Sequence, residues 1–274
     1  MTAETNPGRR PISFLSDYGH ADEFVGVCHG VIRLVAPDAV VLDLAHGLPA
    51  REVRPAALVL RNALPFLPAG VHLAVVDPGV GGLRRPVALR CGDRAFVGPD
   101  NGLLWPAAER AGGVDLAVDI SDSPWRLDPV SATFHGRDLF APVAAHLALG
   151  EPVEAAGERF DPSDLVPLEL PHANVSSGTV DAHALLVDRF GNVSLNVSRE
   201  HLDEAGLELG GRVAVRTGRG RFESVYARTF SDAPREGLLL YEDSYGAIAL
   251  AVNRGSAAAA LGLHADAPVH LTGA

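Results

Sequence analysis

Residues 71–85 read Val-His-Leu-Ala-Val-Val-Asp-Pro-Gly-Val-Gly-Gly-Leu-Arg-Arg. Val71 to Val76 is almost wholly apolar and rich in β-branched side chains, the pattern of a strand buried on both faces. Such a strand belongs in an open α/β sheet, where ligands bind beyond the carboxyl ends of the strands. Asp77 stands at that end, a Pro/Gly turn follows, and Arg84 can fold back over it. A nucleotide-phosphate loop is the rival reading, since Gly79 and Gly81 follow a strand. It fails because Arg84 occupies the third glycine position and Asp77 would repel a phosphate. A plain turn with a surface ion pair stays open on this stretch alone.

A chain of 274 residues holds one large α/β domain or two smaller ones. Its formal charge is −11 and no stretch is rich in basic residues, which argues against a nucleic-acid partner. Two cysteines, Cys28 and Cys91, argue against a disulfide framework and fit a reducing, cytoplasmic setting. The first ten residues are polar with no apolar segment after them, so they do not read as a secretion signal. No apolar run reaches membrane-spanning length, and no membrane contact is expected.

Pro11 to Leu15 reads as a strand ending in Ser16-Asp17-Tyr18-Gly19, a second carboxylate at a strand end. A helix follows over 22–35, with Phe24, Val27, Cys28, Val31, Leu34 and Val35 at helical spacing. Further segments alternate: strand 39–44, helix 52–66, the strand at Val71, a hairpin over 86–97, a short helix 103–111 and a strand 114–120. That order predicts a mainly parallel sheet with helices on both faces. Thr133 to Asp138 leads into a helix over 139–149 that stops at Gly150. Residues 151–174, interrupted by prolines, read as a linker. After it come short strands at 180–187, 193–197, 212–216, 223–227, 237–241, 247–252 and 269–271, the spacing of a small antiparallel barrel or sandwich. The expected domains are 1–165, α/β, and 175–274, all β.

His135 lies before a helix start, where the helix dipole disfavours imidazolium and leaves a neutral ring able to hold a water. A structural histidine bonding the loop backbone is the competing reading. No His or Cys pair has metal-ligand spacing and no serine elbow is present, so no metal or cofactor is expected. The other histidines are assigned to solvent or packing. Asp188-Arg189-Phe190-Gly191-Asn192 is a hairpin turn first, yet it puts a carboxylate, an aromatic ring and an amide together. Glu242 to Gly246 and Asn253 to Ser256 are likewise turns before they are ligand loops.

Five segments taken in order resemble one family: Ser16 to Gly19, Asp77 to Gly81 with Arg84, Phe134 to Asp138, Asp188 to Asn192, and Asn253 to Ala258. It is the S-adenosyl-L-methionine (SAM) hydrolase, or SAM hydroxide adenosyltransferase, family, related to the fluorinases and chlorinases. The resemblance implies an α/β domain followed by a β-barrel, in a homotrimer with active sites between subunits. It implies an Asp–Arg–His catalytic set, here Asp77, Arg84 and His135. The halogenating branch typically has tyrosine at the position of Asp77, and the fluorinase has serine at that of Gly136 and an extra loop not found here. Substrate contacts implied are Asp17 on the ribose hydroxyls, with Asp22, Phe134 and Gly136 beside it. Asn192 would read the adenine edge with Phe190 against the ring, and the backbone at Asn253 would complete that pocket. Asp188 and Ser244 would take the methionine end, where Tyr245 replaces a fluorinase arginine.

The expected reaction is hydrolysis of SAM to adenosine and methionine. A sulfonium is already a good leaving group, so the main need is a nucleophile, water or hydroxide, held in line behind C5′. Arg84 would keep Asp77 ionised and anchored, and His135 would orient the water or take its proton. A SAM-dependent chlorinase and a non-catalytic SAM or adenosine sensor are the alternatives; ionised Asp77 disfavours chloride.

Overall fold

The computed structural model describes residues 10–273, so the reading of the first ten residues lies, except for Arg10, outside the described part. The chain divides into two compact units, Met1–Glu169 and Leu170–Ala274.

The first unit contains strands β1 (Ile12–Ser16), β2 (Val41–Ala45), β3 (Val71–Val75), β4 (Pro86–Cys91), β5 (Arg94–Pro99), β6 (Leu116–Asp119) and β7 (Glu158–Phe160). Its helices are α1 (Phe24–Val35), α2 (Val53–Ala63), α3 (Trp105–Arg110) and α4 (Ala141–Ala148). The sheet runs β2-β1-β3-β5-β4-β6-β7. It is parallel from β2 to β5, the half that carries Asp17 and Asp77 at its carboxyl ends. The β4–β5 hairpin reverses the direction, and pairing stays antiparallel through β6 and β7.

Every residue of β3 is buried. Val71, Leu73 and Val75 pack with α1 and α4, while Ala74 and Val76 pack with α2 and α3. The near-continuous apolar run is therefore explained by two covered faces. Within α1, Cys28, Val31 and Ile32 are buried, but Leu34 is 85% exposed. Two residues past Ile32 lies about 200° round a helix, so Leu34 faces outward although its spacing from Val31 reads as core. Cys28 and Cys91 are buried free thiols.

Residues 151–174 are not simply a connector. Val153–Ala156 forms a 3₁₀ turn, and β7 pairs with β6 at the edge of the first sheet. Three hydrogen-bonded residues are too short a strand to show any periodicity, and the division between units falls after Glu169.

The second unit contains β8 (Asn174–Ser176), β9 (Thr179–Val187), β10 (Val193–Ser198), β11 (Arg212–Thr217), β12 (Gly220–Tyr226), β13 (Leu238–Glu242), β14 (Ala247–Val252) and β15 (Pro268–Gly273). Two short helices, α5 (Arg199–Glu204) and α6 (Ala257–Leu261), lie between them. Strand order is β10-β14-β13-β12-β11-β15-β9-β8, and β10 also pairs with β9. That last pairing closes the ring into a barrel, which removes the open edges of a sandwich, and leaves β8 flanking β9. All ladders are antiparallel except β12–β13, where Val225 and Tyr226 pair in parallel with Leu239 and Leu240. In the alternating strand β10, Val193, Leu195 and Val197 point into the barrel core.

Candidate active site

In the first unit β3 delivers Asp77 into a turn in which Val80 N–H donates to the Asp77 carbonyl and Gly82 N–H to that of Gly79. Gly81 holds φ +74°, and a Cβ there would lie 2.3 Å from the Ala132 carbonyl oxygen. Only glycine allows this loop to lie so close to the segment before His135. The turn brings Arg84 back onto Asp77. Its Nε lies 3.0 Å from both carboxylate oxygens and its Nη2 2.5 Å from Oδ2. The two side chains are 10% and 6% exposed, which rules out the plain surface pair. Arg85 is spent on structure: it pairs with Asp100 at 3.2 Å and donates to the Asp164 carbonyl.

Arg84 Nη2 also donates to His135 Nδ1, at 2.8 Å. Guanidinium nitrogens only donate, so Nδ1 must be bare and the ring proton sits on Nε2. Burial, and then the Arg84 charge, lower the pKa of His135 below its ordinary 6.5. The imidazole is neutral, held in one tautomer, and offers N–H rather than a lone pair from its free nitrogen. His135 caps a π turn, Gly136–Phe140, that runs directly into α4.

Tyr18 is the residue that sequence reasoning quoted without giving a role. Its ring meets Phe134 edge-on at 5.8 Å, and Phe24 packs against Phe134 at 5.2 Å. A Cβ on Gly136 would lie 2.0 Å from the Tyr18 hydroxyl, so glycine is required there by tertiary contact and not by backbone angle. Burial, with Asp17 and Asp77 adding repulsion, pushes the Tyr18 phenol far up, and it remains a neutral donor. Asp17 is half-buried and its Oδ2 accepts the Arg51 backbone N–H at 2.8 Å. Asp22 is exposed in the bend before α1. Asp77, Arg84, His135, Gly136, Phe134 and Tyr18 thus form one cluster around the ends of β1 and β3.

The remaining sequence-derived residues sit in the second unit. Asp188 organises its own loop: Oδ1 accepts the backbone N–H of Phe190 and Asn192, and Oδ2 the Asn192 side-chain amide at 2.8 Å. The Phe190 ring is left 69% exposed. Gly191, at φ +81°, abuts Ser256 so closely that a Cβ would lie 2.0 Å from its hydroxyl. Ala258 N–H donates to the Gly191 carbonyl, which joins this loop to the one after β14. Asn253 Nδ2 donates to the Ala233 carbonyl, so its side chain is engaged within the barrel unit. Ser244 and Tyr245 are exposed at the opposite end of β14 from Asn253. Among the described residues no group of three His, Cys, Asp or Glu is arranged to hold a metal ion, and no helix is long and apolar enough to cross a membrane.

The SAM hydroxide adenosyltransferase N-terminal domain matches residues 12–157, and the C-terminal domain of the same family matches residues 182–270. The chain belongs to the SAM hydroxide adenosyltransferase family. An (R)-S-adenosyl-L-methionine hydrolase of Salinispora arenicola is 50% identical, over 90% of this chain and 92% of that protein. The hydrolase of that name from Thermus thermophilus is 43% identical over 96% and 99%. Fluorinases stand further off, the one from Actinopolyspora mzabensis being 29% identical over 96% and 97%. A crystal structure of an uncharacterised conserved protein from Thermotoga maritima superposes with a TM-score of 0.89 at 36% identity, covering 95% of this chain and 99% of that one. The hydrogen-bonded Asp77–Arg84–His135 set lies within the range that the family's N-terminal domain matches.

Proposed function

We propose that this chain hydrolyses S-adenosyl-L-methionine to adenosine and L-methionine, and that it takes the R epimer at sulfur named for its hydrolase relatives. The observation that carries the chemistry is the buried guanidinium of Arg84, which grips Asp77 with two nitrogens while reserving one N–H for His135.

A water oxygen attacks C5′ of the ribose. The C5′–S bond breaks, its electron pair stays on sulfur, the sulfonium becomes a neutral thioether, and the water's surplus proton leaves. Asp77 is the acceptor for that proton. His135 directs its Nε2–H at the attacking oxygen and orients it, because its other nitrogen is engaged by Arg84. The tautomer therefore separates the two roles that sequence left joined in His135. Holding the oxygen in line with the breaking bond is worth several kcal/mol of the barrier. A chloride nucleophile would face the Asp77 carboxylate at short range, so the halogenase reading has no support in this arrangement.

In the same reading Asp17 holds the ribose hydroxyls, with Asp22 at the rim and Phe134 and Gly136 shaping the floor. The loop of Asp188, Phe190 and Asn192 takes adenine and methionine polar groups, with Ser244, Tyr245 and the backbone of Asn253. A homotrimer with sites between subunits, working in the cytoplasm without a cofactor, is the assembly we propose.

The test is product identification. The protein is incubated with each sulfonium epimer of SAM, with and without chloride, and the nucleosides are separated. Adenosine from the R epimer, independent of chloride, is expected. A chlorinated nucleoside, or SAM returned unchanged, overturns the reading.

A further inference from the structure

Outside the Asp77 set, the described residues hold a second chain of polar groups, buried at Ser16 and His46 and reaching the surface at Asp43. His46 is 1% exposed and Ser16, the last residue of β1, is 0% exposed. Ser16 Oγ lies 2.7 Å from His46 Nδ1, and His46 Nε2 lies 3.0 Å from Asp43 Oδ1. The same Asp43 oxygen takes His29 Nε2 at 2.9 Å, and the His20 ring stands edge-on to His46 at 5.3 Å.

A serine, a histidine and an aspartate in line suggest a nucleophilic triad, but two facts exclude it. The serine is sealed from any substrate, and it touches Nδ1 while the carboxylate touches Nε2, the reverse of a hydrolase triad. The direction of the bonds tells what the chain does instead. Asp43 accepts, so His46 carries its proton on Nε2 and its Nδ1 is bare. Ser16 must then donate its hydroxyl to Nδ1, which turns the oxygen's lone pairs toward the backbone N–H of Tyr18, 3.4 Å away. The His46 carbonyl also accepts the N–H of Gly19 at 2.6 Å. Burial, offset in part by Asp43, keeps the His46 pKa below the ordinary histidine value, which favours the neutral ring this pattern needs.

The segment pinned in this way, Ser16 to Gly19, carries Asp17 and Tyr18. The stretch that starts at Asp43 reaches it again through Arg51, whose backbone N–H holds Asp17. We propose that His46 is a positioning residue: through Ser16 it fixes the loop that presents Asp17 to the ribose and Tyr18 to the reacting centre. The inference rests on the SAM-hydrolase reading for what that loop meets. It assigns work to a histidine that the sequence left among those assigned to solvent or packing.

The test compares His46→Leu, which removes the acceptor, with His46→Asn, whose carbonyl oxygen can replace Nδ1 for Ser16. SAM hydrolysis is followed as kcat and KM, with circular dichroism as the check on folding. For a folded His46→Leu protein, kcat/KM falls about tenfold or more, chiefly through KM, since a displaced Asp17 weakens substrate and transition state alike. His46→Asn recovers most of the loss. A folded His46→Leu enzyme with kcat/KM within about twofold of wild type overturns the proposal, as does an Asn variant no better than the Leu variant. If His46→Leu does not fold, Ser16→Ala decides: a raised KM supports the relay and wild-type kinetics overturn it. Wild-type protein that releases no adenosine from SAM refutes the hydrolase reading itself, and with it this role, before any variant is compared.

Discussion

Replacing Arg84 by methionine isolates the feature on which the site depends. Methionine keeps much of the arginine stem's volume but removes the charge and all of its N–H donors. Asp77 then keeps its carboxylate at a position where only 6% of the side chain is exposed, with no cation to face. Removing one partner of a buried pair costs about 3–5 kcal/mol, because the other charge is left uncompensated. The 10% exposure of Arg84 admits some water to the gap, so the low end, about 3 kcal/mol, is expected. For a unit of this size that is a fall in Tm of about 6–12 °C. The double variant Asp77→Asn/Arg84→Met removes the stranded charge and is more stable than Arg84→Met alone, though both lack the native pair. Urea unfolding at pH 8, followed by far-UV circular dichroism, measures both values. An Arg84→Met cost under about 1 kcal/mol, or a double variant less stable than the single, refutes the claim that Asp77 is a desolvated anion held by Arg84. Activity is lost in either variant, so stability is the sharper reading.

Three further outcomes follow from the same geometry. His72, buried between Ser13 and Arg94, has its pKa pushed down to about 4 by burial and then by Arg94. The unfolded chain therefore binds a proton that the folded chain rejects. This contribution is fully present above pH 6.5 and lost as pH falls toward 4, for about 3 kcal/mol in all; His72→Leu flattens that limb of the unfolding profile, and an unchanged slope contradicts the assignment. Gly136→Ala puts a methyl into the Tyr18 hydroxyl and costs about 1–3 kcal/mol. Adding Tyr18→Phe recovers part of it, and strictly additive Tm changes would show that the two residues do not touch. Asp188→Ala strips three accepted hydrogen bonds from an exposed loop. It lowers amide-exchange protection at Gly191 and Asn192 while barrel stability drops by only about 1 kcal/mol; equal loss of protection throughout the barrel would show that the loop is not a separate unit.

Much of this protein could be read from its residues in order. The apolar run at Val71 announced a strand covered on both faces, and β3 is one. Asp77 and Arg84 are seven positions apart across a glycine turn, so their contact is nearly a local event. The strand rhythm after residue 175 marked the strands of the barrel, because period-2 alternation and turn residues are local signals; the short helices α5 and α6 it did not mark. Where local signals fade, sequence and structure part. Leu34 matched a core spacing but lies outside the buried arc, and the strand at Glu158 is too short to betray itself.

What the amino-acid order determined alone was the succession of elements, the carboxylates at strand ends, and the set of motifs that place the chain in its family. Only the folded chain decided closure of the barrel through β9 and β10, the Tyr18 contact that requires glycine at 136, the bare Nδ1 of His135 and the contact of Ser16 with His46. Apart from the β9–β10 hairpin itself, whose ring also needs the distant β14 and β15, these depend on groups far apart in sequence, Arg84 and His135 by 51 positions. A hydrogen bond or a van der Waals overlap is set by ångström distances, which register and packing establish and which periodicity along a chain does not encode.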